Sequence, residues 1–228
     1  MTICIIPARG NSKRITNKNI IKFINKPIIF YAIRAAIKSK LFKRIIVSTD
    51  SKKIAKIAEY YGAEVPFLRS KKLSDDFSTS KEVVIDAIKK IFSENEKYHC
   101  CIYPTSILLK PNDLIQSLKK IKKINADQLI PITDFEYPPQ RSLKKVGKNW
   151  IKFTKNSYLN SRSQDLPAIY HDIGSFYFYR TSSLLKKGDI LPKKTTYFYI
   201  NRHKTVDINY PIDLKIAKIK FKLLKKNG

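Results

Sequence analysis

Residues 5–19 read IIPARGNSKRITNKN, and the rest of the chain is best understood from this stretch. The pattern predicts a short apolar strand over residues 2–6, followed by a loop rich in hydrogen-bond donors. The cations of this loop are Arg9, Lys13, Arg14 and Lys18. Such cations repel one another unless an anion lies among them, and an open α/β sheet binds phosphates in loops of this kind. The sequence therefore predicts a nucleotide-phosphate loop, although it matches neither G-x-x-x-x-G-K-[ST] nor G-x-G-x-x-G.

Strand and helix patterns alternate up to residue 132. Strands are predicted over residues 2–6, 44–48, 63–67, 99–103 and 128–132. Helices are predicted over residues 27–39, 52–61, 81–92 and 111–121, with Ser80 as the N-cap of the third. This alternation favours a single α/β domain over residues 1–228, with a Rossmann-like, mostly parallel sheet and right-handed crossovers.

The alternation stops near residue 135. Residues 135–180 hold many aromatic residues and several prolines in strand-like runs, which predicts a β-rich inserted arm. An arm of this kind on a small α/β domain serves either dimerisation or closure over a site. After the arm, the patterns predict a helix over 181–186, short strands over 197–200 and 203–206, and a final helix over 211–225.

The formal net charge of +28 comes mainly from lysine, since 37 of the 46 basic residues are Lys. These lysines are spread over almost every predicted helix, whereas a nucleic-acid interface needs clustered Arg and Lys interleaved with aromatic residues. The spread indicates a solvated lysine surface whose field attracts anionic substrates. A basic nucleic-acid-binding protein without enzyme activity is the alternative from a different functional class.

Neither a membrane span nor a secretory signal is predicted, because no run of about 18 apolar residues occurs and a strand pattern begins at once. Cys4, Cys100 and Cys101 lie in apolar stretches without metal-ligand spacing, which indicates buried reduced thiols. These features predict a cytoplasmic protein.

Several side chains outside the first loop could take part in phosphate chemistry. Arg69 follows the third predicted strand and is expected at the same sheet edge as the loop, whereas Asp75 and Asp76 either cap local turns or act directly. Asp207 is the best candidate for a Mg²⁺ carboxylate, and Asn209 would point the same way in an extended segment. Asp213 is expected to stabilise the start of the last helix. His171 is either structural or substrate-binding.

These residues resemble a known family, the cytidylyltransferases that activate nonulosonic (sialic-type) sugars with CTP. The resemblance rests on IPARGNSKRITNKN at residues 6–19, RIIVSTDSKKIAKIAEYYGAEVPFLR at 44–69 and VDI at 206–208. The stretches YPT at 103–105, PPQR at 138–141 and RSQDLPAIYHDIGSFYFYR at 162–180 are most similar to the pseudaminic acid branch. The resemblance covers nearly the whole chain.

The resemblance implies transfer of CMP from CTP to a sugar acid, with Mg²⁺ as cofactor and pyrophosphate as the second product. It implies a homodimer in which the arm contributes to the neighbouring site, without specific nucleic acid or membrane partners. The implied nucleotide-binding residues are Ala8, Arg9, Gly10, Asn11, Ser12, Lys18, Asn19, Arg69 and Ser80. The implied sugar-binding residues are Tyr103, Arg141, Arg162 and His171. The implied catalytic residues are Arg9, Lys18 and Asp207, with Asp207 and Asn209 as metal ligands.

One departure from the family pattern concerns the metal ligands. The family usually has Asp-x-Asp where this chain has Asp207-Ile208-Asn209, and a neutral amide oxygen is a weaker ligand for Mg²⁺. Either Asp207 suffices or the metal affinity is reduced. The sugar is also open at this point, because N-acetylneuraminic or legionaminic acid would undergo the same reaction as pseudaminic acid.

Overall fold

The computed structural model describes residues 2–12, 14–186 and 191–226, so Lys13 of the first loop lies outside the described residues. The strands are β1 (Thr2–Pro7), β2 (Lys22–Phe23), β3 (Lys26–Pro27), β4 (Phe42–Ser48), β5 (Tyr98–Ile102), β6 (Gln128–Asp134), β7 (Leu143–Val146), β8 (Trp150–Phe153), β9 (Tyr170–Asp172), β10 (Phe176–Arg180) and β11 (Thr195–Tyr199). The helices are α1 (Ile28–Ser39), α2 (Lys52–Tyr60), α3 (Ser80–Lys90), α4 (Pro111–Lys123), α5 (Thr181–Leu184) and α6 (Pro211–Lys226).

The central sheet is mixed, with the strand order β11-β6-β10-β5-β1-β4, and β9 also pairs with β6. β1 is parallel to both β4 and β5, and β11 is parallel to β6. β10 is antiparallel to its neighbours β5 and β6, and β9 is antiparallel to β6. The α/β class is therefore confirmed, but the mostly parallel arrangement predicted from the alternation is corrected to a partly parallel one. The reason is that β10 follows the inserted segment and not a crossover helix, so it enters the sheet from the opposite end.

Alternate residues of the central strands pack against helices on opposite faces of the sheet. Cys4 and Ile6 of β1 belong to a buried cluster with α1, α2 and α4. Ile3 and Ile5 belong to a second cluster that includes α3. Strands covered on both faces bury almost every side chain, which is why residues 3–6 of β1 are all apolar. Cys4, Cys100 and Cys101 are buried free thiols, as the sequence indicated.

Four local predictions need correction. Residues 63–67 form no strand in the described structure, because only isolated bridges at Glu64 and Leu68 join this segment to its neighbour. The N-cap of α3 is Thr79, and Ser80 is the first helical residue. Residues 203–206 contain part of a 3₁₀ turn, Arg202–Lys204, in place of a strand. Of the predicted arm over residues 135–180, β9 and β10 lie within the central sheet, so the part of the arm that leaves the sheet is residues 135–169.

None of the helices in the described ranges is long and apolar enough to cross a membrane.

Candidate active site

A cleft of about 570 Å³ opens where β1 and β5 end. Because parallel strands present their carboxyl ends at one edge, the loops that follow them meet there. The residues of the cleft wall are Pro7, Arg9, Ser12, Arg14, Lys18, Asn19, Arg69, Leu73, Asp75, Asp76, Ser78, Ser80, Val83, Tyr103, Pro104 and Thr105. The structure therefore brings together six of the predicted nucleotide-binding residues and the predicted sugar-binding Tyr103.

Arg9 stands at the lip of the cleft and joins two loops. Its guanidinium donates to the carbonyl oxygen of Asp75 at 2.9 Å and to Oδ1 of Asp76 at 2.8 Å. The buried Asn19 holds the backbone of Arg9 by donating from Nδ2 to the Arg9 carbonyl at 2.8 Å. Ala8 is fully buried and continues β1, since its N–H donates to the carbonyl of Ser48 at 2.9 Å. The arginine is thus positioned from its backbone and from its tip.

Gly10 directs the chain away from β1 and towards Asp50 and Ser51, which lie between β4 and α2. Its N–H donates to Oδ1 of Asp50 at 2.7 Å. A Cβ at this position would lie 3.1 Å from the Cβ of Ser51, so a side chain here requires that segment to shift. The exposed Asn11 lines a neighbouring depression together with Gly10, on the outer side of the loop. Gly10 and Asn11 therefore shape the loop without lining the cleft itself.

Lys18 connects the first loop to the segment that carries Asp207. Its Nζ donates to the carbonyl of Ile208, whose side chain is fully buried in a cluster that also contains Ile15. Burial lowers the pKa of the Lys18 ammonium, and the nearby Asp207 carboxylate opposes that shift. The two segments form one unit, in which a cation and a carboxylate from distant parts of the sequence are neighbours.

The Asp207 and Asn209 side chains point the same way, as predicted, in a segment that is neither helix nor strand. Asn209 donates from Nδ2 to Oδ2 of Asp207, while the backbone N–H groups of Asn209 and Tyr210 each donate to Oδ2 of Asp213 at 2.7 Å. Asp213 therefore caps the start of α6, as its position suggested. In the described residues no group of three or more His, Cys, Asp or Glu side chains could hold a metal. The pair offers one carboxylate and one amide oxygen, which fits Mg²⁺ if substrate phosphates and water complete its shell.

Arg69 is a buried cation at the floor of the cleft, with 5% of its surface exposed. Its N–H donates to the carbonyl of Thr49 at 2.8 Å, and its Nε donates to Oγ of Ser74 at 3.1 Å. Burial lowers the pKa of its guanidinium, whereas the Asp50 carboxylate opposes the shift. A buried guanidinium is costly without an acceptor, so this floor favours an anionic or carbonyl-bearing ligand.

Tyr103 forms the opposite end of the cleft and lies against β10. Its N–H donates to the carbonyl of Ser175 at 2.8 Å, and its ring centroid lies 5.4 Å from that of Tyr177. Tyr103 lines the cleft together with Ser80. Burial raises the pKa of the Tyr103 hydroxyl, so it stays protonated at neutral pH.

This geometry agrees with a match to a protein family. The family model described as cytidylyltransferase matches residues 3–227, which is nearly the whole chain. The chain belongs to the cytidylyltransferase family. The resemblance seen in the sequence motifs is thereby confirmed.

Two curated relatives of this cytidylyltransferase resemble it over nearly their full lengths. It is 41% identical over 223 residues to a pseudaminic acid cytidylyltransferase of Campylobacter jejuni, covering 97% of this chain and 96% of that protein. It is 32% identical to a CMP-N,N'-diacetyllegionaminic acid synthase of Legionella pneumophila, covering 92% of each chain.

Solved structures confirm the fold. A CMP:2-keto-3-deoxy-manno-octonic acid synthetase complexed with CTP superposes with a TM-score of 0.73 at 14% identity, covering 100% of this chain and 99% of that one. At that identity the likeness concerns the fold alone.

Three predicted sugar-binding residues of this cytidylyltransferase lie outside the cleft wall. The Arg141 guanidinium donates to the backbone carbonyls of Leu159 and Ser161 within the inserted segment. Arg162 is exposed and pairs with Asp165 at 2.7 Å. His171 is exposed, and its Nδ1 is 2.9 Å from the carbonyl oxygen of Asp172. Within the described residues of the chain these side chains do not meet the nucleotide-binding residues.

Sequence reasoning missed some residues that shape the site. Asp50 supports Gly10 from 40 positions away, and the buried Tyr177 contacts Tyr103 from a strand assigned to the arm. Asp75, considered only as a cap or a direct participant, forms a turn by accepting from the N–H of Ser78 at 2.7 Å and also accepts from Arg9 through its carbonyl. A signal existed only for Asp50, since a carboxylate after a buried strand is expected at the same edge as the phosphate loop.

Proposed function

We propose that the protein is a pseudaminic acid cytidylyltransferase, which makes CMP-pseudaminic acid and pyrophosphate from CTP and the free sugar acid. The observation that carries the proposal is the cationic cleft at the carboxyl edge of the sheet, built by Arg9, Lys18 and Arg69. The 41% identity to a relative with this name supports the choice of sugar.

In the proposed reaction the anomeric hydroxyl of the sugar attacks the α-phosphorus of CTP in line with the departing pyrophosphate. The new bond joins the sugar oxygen to the α-phosphorus, the bond from that phosphorus to the bridging oxygen breaks, and the hydroxyl proton is released. Arg9 and Lys18 offset the charge on the phosphates and hold them in line. To do so, the Arg9 guanidinium exchanges Asp76 for a phosphate. That exchange is inexpensive because both side chains are more than one third exposed.

The other predicted binding residues take roles that follow from their positions. Ala8 and Gly10 shape the loop, since their N–H groups donate to Ser48 and Asp50, whereas Asn11 and Ser12 supply backbone donors to the phosphates. Arg69 and Ser80 bind the cytosine end of CTP, and Tyr103 contacts the sugar. The buried Arg69 guanidinium then donates to a carbonyl oxygen of the base.

Asp207 would hold Mg²⁺ as its carboxylate ligand, and Asn209 would contribute its amide oxygen. When bound, this ion neutralises phosphate charge and fixes the orientation of the triphosphate. Lys18, whose Nζ bonds to Ile208 between these two residues, couples the phosphate loop to the metal ligands.

The inserted segment supports a homodimer. The hairpin of β7 and β8 exposes Trp150 at 75% and Ile151 at 65%, which is costly for a monomer. A second copy of the chain covers this surface and receives Arg141 or Arg162 at its own cleft, where either cation pairs with the sugar carboxylate.

The reaction is tested by measuring pyrophosphate release with CTP, Mg²⁺ and a panel of nonulosonic acids. We expect turnover with pseudaminic acid to exceed that with legionaminic and N-acetylneuraminic acids. Silence with every nonulosonic acid contradicts the proposal, and preference for another member of the panel contradicts the choice of sugar.

The dimer is tested by complementation. Arg9→Ala and Arg162→Ala variants are each expected to lose most of their activity alone, and a mixture is expected to recover activity through mixed dimers with one complete site. Trp150→Glu is expected to give a monomer in sedimentation velocity. An inactive mixture that contains mixed dimers contradicts a contribution of Arg162 across the interface.

A further inference from the structure

The last helix, α6, carries apolar side chains on two opposite faces. Its inner face packs on the core through the buried Ala217, with Leu214 and Phe221 partly buried beside it. Its outer face holds an aliphatic row of four side chains that are 43–60% exposed, namely Ile212, Ile216, Ile219 and Leu223. Their spacing places them along one side of the helix, away from the core. The inner face holds the helix to the protein, so the aliphatic row serves another purpose.

The aliphatic row distinguishes α6 from the other described helices. Outside α6, the exposed large hydrophobic side chains on those helices are Ile37 on α1 and Tyr60 on α2. Single apolar side chains of this kind are normal on a protein surface, whereas a continuous apolar face marks a surface that binds a partner or a membrane. The aliphatic row therefore indicates a binding surface.

Lysine borders the aliphatic row on one side. These lysines recur at helical spacing and are all exposed: Lys215, Lys218, Lys222 and Lys225. The acid of α6, Asp213, is occupied at the start of the helix, where its Oδ2 accepts from the N–H groups of Asn209 and Tyr210. Along this border α6 therefore presents ammonium groups.

The opposite border is formed by the 3₁₀ turn Arg202–Lys204. Lys220 lies on that side of α6, and its Nζ donates to the carbonyl oxygens of Arg202 at 3.1 Å and Thr205 at 2.7 Å. These two hydrogen bonds hold the turn against the helix, and Lys204 of the turn is exposed. Cations therefore border the aliphatic row on both sides.

We infer that the outer face of α6 binds an anionic lipid surface, with the aliphatic row at the boundary of the acyl chains and the lysines among the lipid phosphates. Lysine stems are apolar and long enough to reach from the level of the row to the headgroup charges. A second copy of the chain fits this face less well, because the lysines of two such helices would repel one another. A nucleic acid fits less well, because its phosphates leave the aliphatic row uncovered. This surface contact goes beyond the proposed reaction and beyond the family resemblance, which implied no membrane partner.

The test measures how much full-length protein floats with vesicles of phosphatidylcholine alone or with about one third phosphatidylglycerol. A protein of net charge +28 is attracted to any anionic surface, so variants that keep the charge are decisive. The double variant Ile216→Ser/Ile219→Ser is expected to lower the partition coefficient on the anionic vesicles about tenfold, and the loss persists at high salt. Ile37→Ser/Ile124→Ser is the matched control, since it removes two similarly exposed isoleucines elsewhere, and it is expected to keep the wild-type value.

A second pair of variants tests the lysines beside the row. Lys215→Gln/Lys222→Gln is expected to lower the partition coefficient by about fivefold for each lysine, the usual effect of a cation at an anionic membrane. Lys52→Gln/Lys53→Gln removes the same charge from exposed positions on α2 and is expected to have a much smaller effect. These four lysines are all exposed, so the comparison remains valid even if the serine variant fails to fold.

Three results overturn the inference while the proposed reaction stands, because pyrophosphate release is measured without vesicles. The first is an equal loss in the α6 variants and their controls, which would assign vesicle binding to the overall charge. The second is equal wild-type binding to both kinds of vesicle. The third is a loss of dimer in sedimentation velocity for Ile216→Ser/Ile219→Ser, which would assign the face to a second copy of the chain.

Discussion

At the scale of single residues, the clearest prediction concerns Arg9. Its backbone is held by Asn19 and its guanidinium bonds to Asp75 and Asp76, so it is in place before a nucleotide arrives. Arg9→Ala is expected to lower kcat/KM by about 10²- to 10³-fold, because the charge that develops on the phosphates loses a positioned donor. The measurement is pyrophosphate release under saturating Mg²⁺.

The control for Arg9→Ala is Arg34→Ala, which removes the same charge from an exposed position on α1. Equal losses in the two variants would show that the overall field of the protein matters and the position of Arg9 does not. Near-normal activity of Arg9→Ala would exclude its phosphate role.

Asn209 is the residue where this chain departs from the family pattern, and it gives a gain-of-affinity prediction. Asn209→Asp adds a second carboxylate beside Asp207, which is expected to lower the Mg²⁺ concentration for half-maximal rate several-fold. Asp207→Ala is expected to raise that concentration or to abolish activity. Both follow from initial rates across a Mg²⁺ titration, and an unchanged titration in both variants would place the metal elsewhere.

At the scale of elements, two adjacent residues at the start of α3, Thr79 and Ser80, have different roles. Thr79 caps the helix: its hydroxyl accepts from the N–H of Glu82 at 3.2 Å, while the Glu82 carboxylate accepts from the Thr79 N–H at 2.7 Å. Thr79→Ala is expected to cost about 1 kcal/mol of unfolding free energy in urea titrations.

Ser80→Ala is the matched variant, because Ser80 is the first helical residue and lines the cleft. We expect Ser80→Ala to leave the unfolding free energy nearly unchanged and to weaken substrate binding. If Ser80→Ala lowered the unfolding free energy and Thr79→Ala weakened substrate binding, the cap would lie at Ser80.

Local sequence patterns determine some elements of the fold but not the direction of every strand. β1, β4, α1 and α2 were predictable because their apolar periods and caps are local, as with Ser51 at the start of α2 and Gly62 (φ +89°) just after it. The antiparallel direction of β10 was not, because its partners β5 and β6 lie far away in sequence and no local pattern encodes strand direction. In the site, motif residues such as Arg9 and Lys18 were predictable, whereas the ring contact between Tyr177 and Tyr103 joins residues that are far apart in the sequence.

At the scale of the whole molecule, the buried His99 makes the stability of the fold depend on pH. It is fully buried on β5, with Nε2 3.0 Å from Oγ of Ser93 and Nδ1 2.8 Å from Oγ1 of Thr181. The Thr181 hydroxyl donates to the carbonyl of Glu96, so it accepts from His99 and fixes the neutral Nδ1–H form. Burial lowers the pKa of His99 from 6.5 to about 4, against the opposing effect of the Glu96 and Glu94 carboxylates.

This shift predicts a pH dependence of stability with a definite sign. Between pH 6.5 and about 4 the unfolded chain binds a proton at His99 that the folded chain does not. The unfolding free energy therefore falls as pH decreases through this window, by up to about 1.4 kcal/mol per pH unit. His99→Gln is expected to be less stable at pH 7, since it disturbs a buried pair of hydrogen bonds, but to show a shallower slope in urea titrations between pH 6.5 and 4. An equal slope in the variant and the wild type would assign the acid sensitivity to other groups.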